Sequence, residues 1–337
     1  MGTNDNWLSL VQEDALDPKQ PICDSHHHLW GFRTDQTESR YLLDELMEDI
    51  NCGHNIVSTV FIECGAMYRN SGPRELSPVG ETEFVNSLVS ESSLTKHDPV
   101  KVASGIIGHA DLLLGDRVKK VLEEHILVAG DRFKGIRHSV PWDPSDDVPV
   151  IRGKRPPNLL ESDLYREGFS NLKKFNLTYE AWLYHPQISE LVELARLFPD
   201  TVIILNHLGG PLGVGPYKNK GEEVYRTWKS DIADLATYPN VFSKLGGMHM
   251  EINGFDWHKR TKPPTSLELL SKTRPWYEYI IEKFGVERCL FESNFPVDKL
   301  SCSYSVLWNS FKRLTKNYSE TEKSLLFHDT AARVYRL

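Results

Sequence analysis

Three consecutive histidines behind an aspartate stand out in the sequence, in the run DSHHH at residues 24–28. They follow an apolar segment that begins near Ile22 and predicts a β-strand. Because side chains alternate along a strand, His26 and His28 point the same way and His27 points to the other side. Two adjacent imidazoles can bind one metal ion, or hold a substrate carboxylate or carbonyl. We therefore expect His26 and His28 to line a reaction site, and we take them as candidate metal ligands.

Polar side chains also end the second, fourth and sixth predicted strands. Glu63 could be a ligand, a base or a hydrogen-bond acceptor, and we count it among the catalytic candidates. Arg137 suits an anionic or oxygen-rich substrate, because its planar guanidinium can bind a carboxylate with two hydrogen bonds. His207 lies where an apolar run breaks into Gly-Gly-Pro, a poor place for a structural histidine. We expect Arg137 to bind substrate and His207 to be catalytic.

The fifth and eighth predicted strands supply the remaining candidates. Trp182, Tyr184 and His185 follow the fifth strand, and we assign them to substrate binding, although a structural role suits His185 equally well. Aromatic side chains around one pocket favour a ring-shaped ligand. Asn294 and Asp298 follow the eighth strand, and we expect both to take part in catalysis.

A regular alternation of strand and helix patterns must position these residues. Short apolar, β-branched runs recur about every 38 residues, the length of one strand, one helix and two loops. Eight such runs begin near Ile22, Ile56, Lys101, Phe133, Leu177, Thr201, Val241 and Arg288.

The loops that leave these strands are long, at residues 64–80, 139–160, 207–220 and 247–266, whereas those that enter them are short. In a (β/α)8 TIM barrel the loops after the strands form the active-site face. The competing doubly wound fold lacks support, because no G-x-G-x-x-G or Walker A motif is present. We predict an α/β protein with one TIM-barrel domain over residues 21–337, preceded by an N-terminal arm over residues 1–20. We expect residues 139–160 to form a loop over the pocket.

The composition of the chain limits the kinds of binding partner and the cellular location that we expect. The chain has 337 residues and a formal net charge of −8, which argues against nucleic acid and anionic membranes. Five scattered cysteines without a CxxC pair indicate neither a disulfide framework nor a zinc ribbon. The first residues lack a signal peptide's apolar stretch, so we expect a cytoplasmic protein. A small-molecule substrate is the expected partner, and a homo-oligomer is compatible with the sequence.

Taken together, five motifs resemble the amidohydrolase-2 family of the amidohydrolase superfamily, and most of all its branch of sugar-acid and dicarboxylate lactonases. They are D-x-H-x-H-x-W from Asp24, G-I-R ending at Arg137, N-H-L-G-G-P around His207, S-N-F-P-V-D from Ser293 and T-A-A-R-V-Y from Thr330. The resemblance implies a TIM barrel that hydrolyses a C–O or C–N bond at a carbonyl. It also implies an active site lined by His26, His28 and His207. The branch includes enzymes with and without a bound ion. The resemblance therefore implies either one divalent metal ion, with zinc as the first candidate, or activity without a metal.

One position departs from the family pattern, because Asn294 stands where the family usually has an aspartate. An amide cannot act as a base and is a weak metal ligand. Asp298, His207 and Glu63 are the remaining candidates for the base. Besides lactone hydrolysis, two functions stay open: metal-dependent decarboxylation of a small aromatic or unsaturated acid, and non-catalytic ligand binding.

Overall fold

The computed structural model describes residues 4–92, 100–151 and 153–337. Eight strands lie in the order of the sequence, and every neighbouring pair from the first to the last is parallel. They are β1 Pro21–His27, β2 Asn55–Ile62, β3 Lys101–Gly108, β4 Phe133–Arg137, β5 Thr178–Ala181, β6 Ile203–Leu205, β7 Val241–Leu245 and β8 Cys289–Phe291.

Helices cover the outside of this sheet. They are α1 Asp5–Leu8, α2 Leu43–Ile50, α3 Val79–Ser92, α4 Val118–Ala129, α5 Asp163–Ser170, α6 Ile188–Leu197, α7 Gly221–Leu235, α8 Ser266–Phe284, α9 Tyr304–Leu314, α10 Glu320–Ser324 and α11 Thr330–Tyr335. In α6, for example, Ile188, Leu191 and Leu194 are buried on the side that faces the strands. The predicted TIM barrel is thus confirmed.

The ends of the sheet meet just beyond β8. His27 forms a parallel bridge with Phe295, the backbone N–H of Asn294 donates to the carbonyl of His26, and that of His28 donates to Phe295. These bonds close the barrel with residues that follow the eighth strand. They also fix Asn294 directly beside the histidine run of β1.

A β-bulge in β1 resets the direction of its side chains. Asp24 pairs with Thr59 and His27 with Phe61, so the step between pairs is three residues on β1 and two on β2. Cys23 faces the barrel interior and packs in its apolar core. Because of the extra residue, His26 can face inward as well, although it lies three positions further on.

The N-terminal end of the barrel is closed by α11. Ala331, Val334 and Tyr335 pack with inward side chains from β1, β2, β3, β6 and β8. The predicted arm covers residues 1–20, of which residues 1–3 lie outside the described ranges. Residues 4–20 cross the outside of the barrel, where the backbone N–H of Leu16 donates to Asn309 in α9. Within the three described ranges, no helix combines the length and apolar character that a membrane span requires.

Candidate active site

Three buried groups converge at the carboxyl ends of β1, β6 and β8. The rings of His26 and His207 lie 4.6 Å apart between centroids. Glu292 lies between them, with Oε2 at 2.7 Å from His26 Nδ1 and Oε1 at 2.7 Å from His207 Nδ1. We call these three residues the His–His–Glu group.

Local backbone geometry lets the group form. His207 has a positive φ of 52°, and its backbone N–H donates to Glu292 Oε1 over 3.2 Å. Two glycines after β7 leave the necessary space, because a Cβ on Gly246 would collide with Glu292 and one on Gly247 would collide with the His207 ring. Gly247 also has a φ of 63°, a conformation that glycine adopts without strain.

His28 and His27 take opposite sides of β1, as alternation predicts. The His28 ring meets that of His26 edge-on at 4.9 Å, and its Nδ1 lies 2.8 Å from the Ile62 carbonyl. His28 therefore lines the same pocket but does not belong to the His–His–Glu group. His27 points to the other side of the strand, where its Nε2 lies 2.8 Å from Thr59 Oγ1.

Arg137 is held by Glu63. Its Nε donates to Glu63 Oε1 over 2.8 Å, and its Nη2 donates to the Glu63 backbone carbonyl. Its Nη1 lies 3.3 Å from His26 Nε2 and 3.4 Å from Asn206 Oδ1. Glu63 neutralises the guanidinium and orients it, while Nη1 stays on the side of the His–His–Glu group.

A second buried ion pair lies on the other side of His26. Lys244 Nζ is 2.9 Å from Glu180 Oε2 and 3.3 Å from His26 Nδ1, and both charged side chains are fully buried. Glu180 also accepts hydrogen bonds from Asn206 Nδ2 and from the hydroxyl of Tyr335.

Burial favours the neutral form of His26 and of His207, because it lowers the pKa of both rings. It lowers the pKa of His26 well below its usual value, and the positive charge of Lys244 adds to the effect. Burial also lowers the pKa of His207, although the Glu292 carboxylate opposes the shift. Neutral imidazoles can bind a metal ion or accept a proton.

A cavity of about 310 Å³ opens above these residues. Three of the four long loops contribute to it: residues 139–160 supply Pro149, Val150 and Ile151, residues 247–266 supply Met250, Glu251 and Ile252, and residues 207–220 supply His207. The loop after β1 forms another wall. Around the cavity lie His28, Trp30, Arg33, Asp35, Gln36, Thr37, Arg137, Trp182, His207, Asn294, Val297 and Leu300.

Asn294 and Asp298 occupy different depths. Asn294 lines the cavity with a φ of 56°, and its Nδ2 donates to Asp298 Oδ1 over 2.9 Å. Asp298 does not line the cavity. It is fully buried behind Asn294 and also accepts the backbone N–H of His249. Burial raises the pKa of Asp298 well above its usual value. Because its carboxyl accepts from the Asn294 amide, it is placed to orient that side chain.

The three substrate-binding candidates that follow β5 point to different parts of the structure. Trp182 lines the cavity and meets the His207 ring edge-on at 4.8 Å. The Tyr184 hydroxyl instead donates to the Pro149 carbonyl over 2.7 Å, which anchors the loop over the pocket. His185 faces a neighbouring cavity together with Tyr217 and Asp143. Only the first of the three therefore reaches the main pocket directly.

Glu292 is the member of the His–His–Glu group that the sequence analysis did not name as a candidate. It lies two residues before Asn294, at the end of the eighth predicted strand, so alternation along that strand could have indicated it.

The donor set of the His–His–Glu group fits a divalent metal ion. One atom from each residue lies within 4.8 Å of the others, and two nitrogens with one carboxylate oxygen suit zinc. Among the described residues, Glu292 Oε2 has no hydrogen-bond donor, although it is buried beside His26 Nδ1. A buried carboxylate oxygen without a donor is costly, and an ion would satisfy it.

Fold and site together define a TIM-barrel enzyme with a polar, histidine-lined mouth. The amidohydrolase family model matches residues 23–337, so the chain belongs to that family and is a hydrolase of the amidohydrolase superfamily. This confirms the resemblance seen in the sequence motifs.

Three relatives match nearly the whole chain. An uncharacterised protein (y4mH) of Sinorhizobium fredii is 33% identical over 94% of this chain and 98% of its own. The L-rhamnono-gamma-lactonase of Scheffersomyces stipitis is 29% identical over 83% of this chain and 86% of its own. The L-fucono-1,5-lactonase of Burkholderia multivorans is 23% identical over 93% and 95%.

Solved structures share the fold. An amidohydrolase from Burkholderia multivorans with bound zinc superposes with a TM-score of 0.71 at 20% identity, over 94% of this chain and 99% of its own. A 2,6-dihydroxybenzoate decarboxylase from Rhizobium gives a TM-score of 0.54 at 12% identity, over 94% and 98%. At these identities the two structures support the barrel alone.

Proposed function

We propose that this hydrolase opens a sugar lactone by attack of water on the ring carbonyl, with His207 as the general base. One observation carries the proposal. His207 lines the cavity while its Nδ1 lies 2.7 Å from Glu292 Oε1, so a buried carboxylate orients the imidazole. A base held by a third group in this way is the arrangement that activates nucleophiles in many hydrolases.

The reaction follows from that orientation. The Nδ1–H group of His207 donates a hydrogen bond to Glu292, so Nε2 of the neutral ring is free to accept a proton as water attacks the carbonyl carbon. The developing oxyanion is stabilised by donors on the cavity wall, for which Arg137 Nη1 is the charged candidate. The ring C–O bond then breaks, protonated His207 returns its proton to the departing oxygen, and a hydroxy acid is released.

Asn294 complements His207 without being a base. Its Nδ2 is engaged by Asp298, which leaves the amide fixed at the cavity wall. A fixed amide can orient the attacking water or the lactone. Asp298 acts through Asn294, and Glu63 acts through Arg137, so we assign positioning roles to both carboxylates.

The cavity wall supports a neutral, hydroxyl-rich substrate more than a dicarboxylate. The charge of Arg137 is balanced by Glu63, and the Arg33 guanidinium donates to Asp35 over 2.8 Å. Gln36, Thr37 and Glu251 add groups that bond hydroxyls. The two lactonases among the relatives act on sugar lactones according to their names, which agrees with this choice.

A divalent ion, when bound, would be held by His26, His207 and Glu292 and would polarise a carbonyl or lower the pKa of a water molecule. In that state Asn294 is the cavity residue left to orient the water. The proposed substrate class is the same in both cases.

The test is turnover of a panel of five- and six-membered sugar lactones, followed by acid release in a pH-indicator assay. We expect hydrolysis by the wild type, and a loss on the order of 10²–10⁴ in kcat for His207→Gln. His185→Gln is the matched control, because His185 lies in the neighbouring cavity. We expect it to retain activity.

Three results would contradict the proposal. Release of carbon dioxide from a hydroxybenzoate without lactone turnover would favour the decarboxylase. Binding of lactones without turnover would indicate a binding protein. Full activity of His207→Gln would remove His207 from the mechanism, whatever the substrate.

A further inference from the structure

Two cationic side chains flank His26, one at each ring nitrogen. Lys244 Nζ lies 3.3 Å from Nδ1 and Arg137 Nη1 lies 3.3 Å from Nε2. A neutral imidazole has one acceptor nitrogen, so it cannot accept from both at once. The His–His–Glu group therefore combines a donor set suited to a divalent ion with positive charge already beside it.

The two cations differ in how they reach the group. Arg137 is engaged through two of its nitrogens by Glu63, and it lines the cavity. Lys244 belongs to β7, is fully buried and does not line the cavity. Its position beside the same nitrogen that faces Glu292 Oε2 puts its charge where a metal ion would bind.

Glu180 holds Lys244 in that position. Its Oε2 lies 2.9 Å from Lys244 Nζ, and its remaining bonds go to Asn206 and Tyr335. The same ammonium contacts both Glu180 and His26, so the pair brings its positive end up to the His–His–Glu group. In a buried site such an oriented charge is weakly screened.

We propose that Lys244 is an internal counter-cation that weakens the binding of divalent metal ions to His26, His207 and Glu292. The ammonium offsets the charge of Glu292, and it repels a second cation at the same nitrogen. The ion affinity of the site is thus set by a residue that lies outside the substrate cavity. The inference concerns ion binding and does not depend on which lactone is hydrolysed.

The experiment measures the Zn²⁺ dissociation constant of metal-stripped protein by competition with a chromogenic chelator. Lys244→Met removes the charge and keeps most of the side-chain volume, and we expect Zn²⁺ to bind at least about tenfold more tightly. Lys134→Met is the matched control. Lys134 is a largely buried lysine of β4 that donates to the Arg336 carbonyl at the other end of the barrel. Its variant should bind Zn²⁺ as the wild type does.

A second variant covers the case in which Lys244→Met leaves Glu180 unpaired and does not fold. Lys244→Met combined with Glu180→Gln removes both buried charges, a change that proteins often tolerate. Because the nearer charge is the positive one, this double variant should also bind Zn²⁺ more tightly than the wild type. Circular dichroism and thermal unfolding confirm that each variant is folded. Unchanged or weaker Zn²⁺ binding in the folded variants would overturn the proposal. Lactone turnover plays no part in the measurement, so the proposed function can fail independently.

Discussion

The two ends of the barrel are built from the same eight strands but follow opposite rules. At the N-terminal end, Val334 and Tyr335 of α11 complete an apolar core with the inward side chains of the strands. At the carboxyl end, histidines and carboxylates replace the apolar residues and face a cavity. The contrast shows how one scaffold separates stability, which comes from burial at one end, from chemistry, which needs poised polar groups at the other.

The ends are nevertheless connected through the barrel axis. The Tyr335 hydroxyl donates to Glu180, Glu180 pairs with Lys244, and Lys244 contacts His26. This chain of contacts is the place where the separation can be tested, because it links Tyr335 of the closed end to His26 of the candidate active site.

The largest expected effect is at the mouth. Glu292→Gln removes the carboxylate that orients His207, and we expect kcat for lactone hydrolysis to fall on the order of 10²–10⁴. Glu287→Gln is the control, since Glu287 is exposed just before β8 at the opposite end. Comparable activity of the two variants would refute the role given to Glu292.

Alanine substitutions at two glycines test how sensitive each end of the barrel is to one added methyl group. Gly247→Ala places a Cβ against the His207 ring, and we expect kcat/KM to fall roughly 10- to 100-fold through misplacement of the base. Gly105→Ala meets Lys134, Leu337 and Val60 side chains at 3.2–3.4 Å near the other end, where small shifts suffice. Steady-state kinetics should show little change for Gly105→Ala. Equal losses in both variants would mean that the mouth is no more sensitive than the rest.

At the closed end, we expect a loss of stability rather than of activity. Tyr335→Phe leaves Glu180 one donor short, which should lower the free energy of unfolding by about 1–3 kcal/mol. Urea denaturation measures this. Tyr225→Phe, whose hydroxyl donates from a half-buried position on α7, should cost no more than about 0.5 kcal/mol. If Tyr335→Phe lowered kcat as much as Glu292→Gln does, the two ends of the barrel would not be separable.

The most gradual effect is the change of the free energy of unfolding with pH. Burial lowers the pKa of His27 and of His125 to about 4, whereas a histidine in the unfolded chain titrates near 6.5. The unfolded state therefore binds more protons between about pH 6.5 and 4, so stability is lost as the pH falls through that window. Each such histidine contributes at most about 1.4 kcal/mol per pH unit.

Urea midpoints measured from pH 7.5 to pH 5 should decline accordingly. His27→Gln should reduce the slope of this decline, because it removes one of these two buried histidines. Asp24 opposes the trend, because burial raises its pKa to about 6. An increase of stability on acidification would show that raised carboxyls of this kind outweigh the histidines.

Much of the fold could be predicted from the sequence because it follows from periodicity. The runs that begin near Lys101, Phe133 and Val241 start strands at those same residues. Alternation placed His26 and His28 on one side and His27 on the other. The bulge after Asp24 was not predictable in this way, since it depends on how β1 pairs with β2.

The site was predictable only as far as the strand ends. His26, Arg137 and His207 lie at or next to the ends of strands, and the structure brings them together. Tyr184 and His185 lie a few residues further on, where the loop conformation decides direction, and they turn to other neighbours. Asp298 follows the turn at Pro296, which folds it behind Asn294. Spacing in the sequence carries no information about such turns.

The position of α11 also has a consequence for how the chain folds. The inner apolar side chains of the strands have no cover at the N-terminal end until residues 331–335 are in place. Closure of the barrel joins β1 to residues 294 and 295, and its core needs contacts between residues more than 300 positions apart. Contacts so distant in sequence form slowly, and unfinished barrels expose apolar surface meanwhile. Refolding at a lower protein concentration should therefore give less aggregation. A chain that ends before α11 should aggregate most readily.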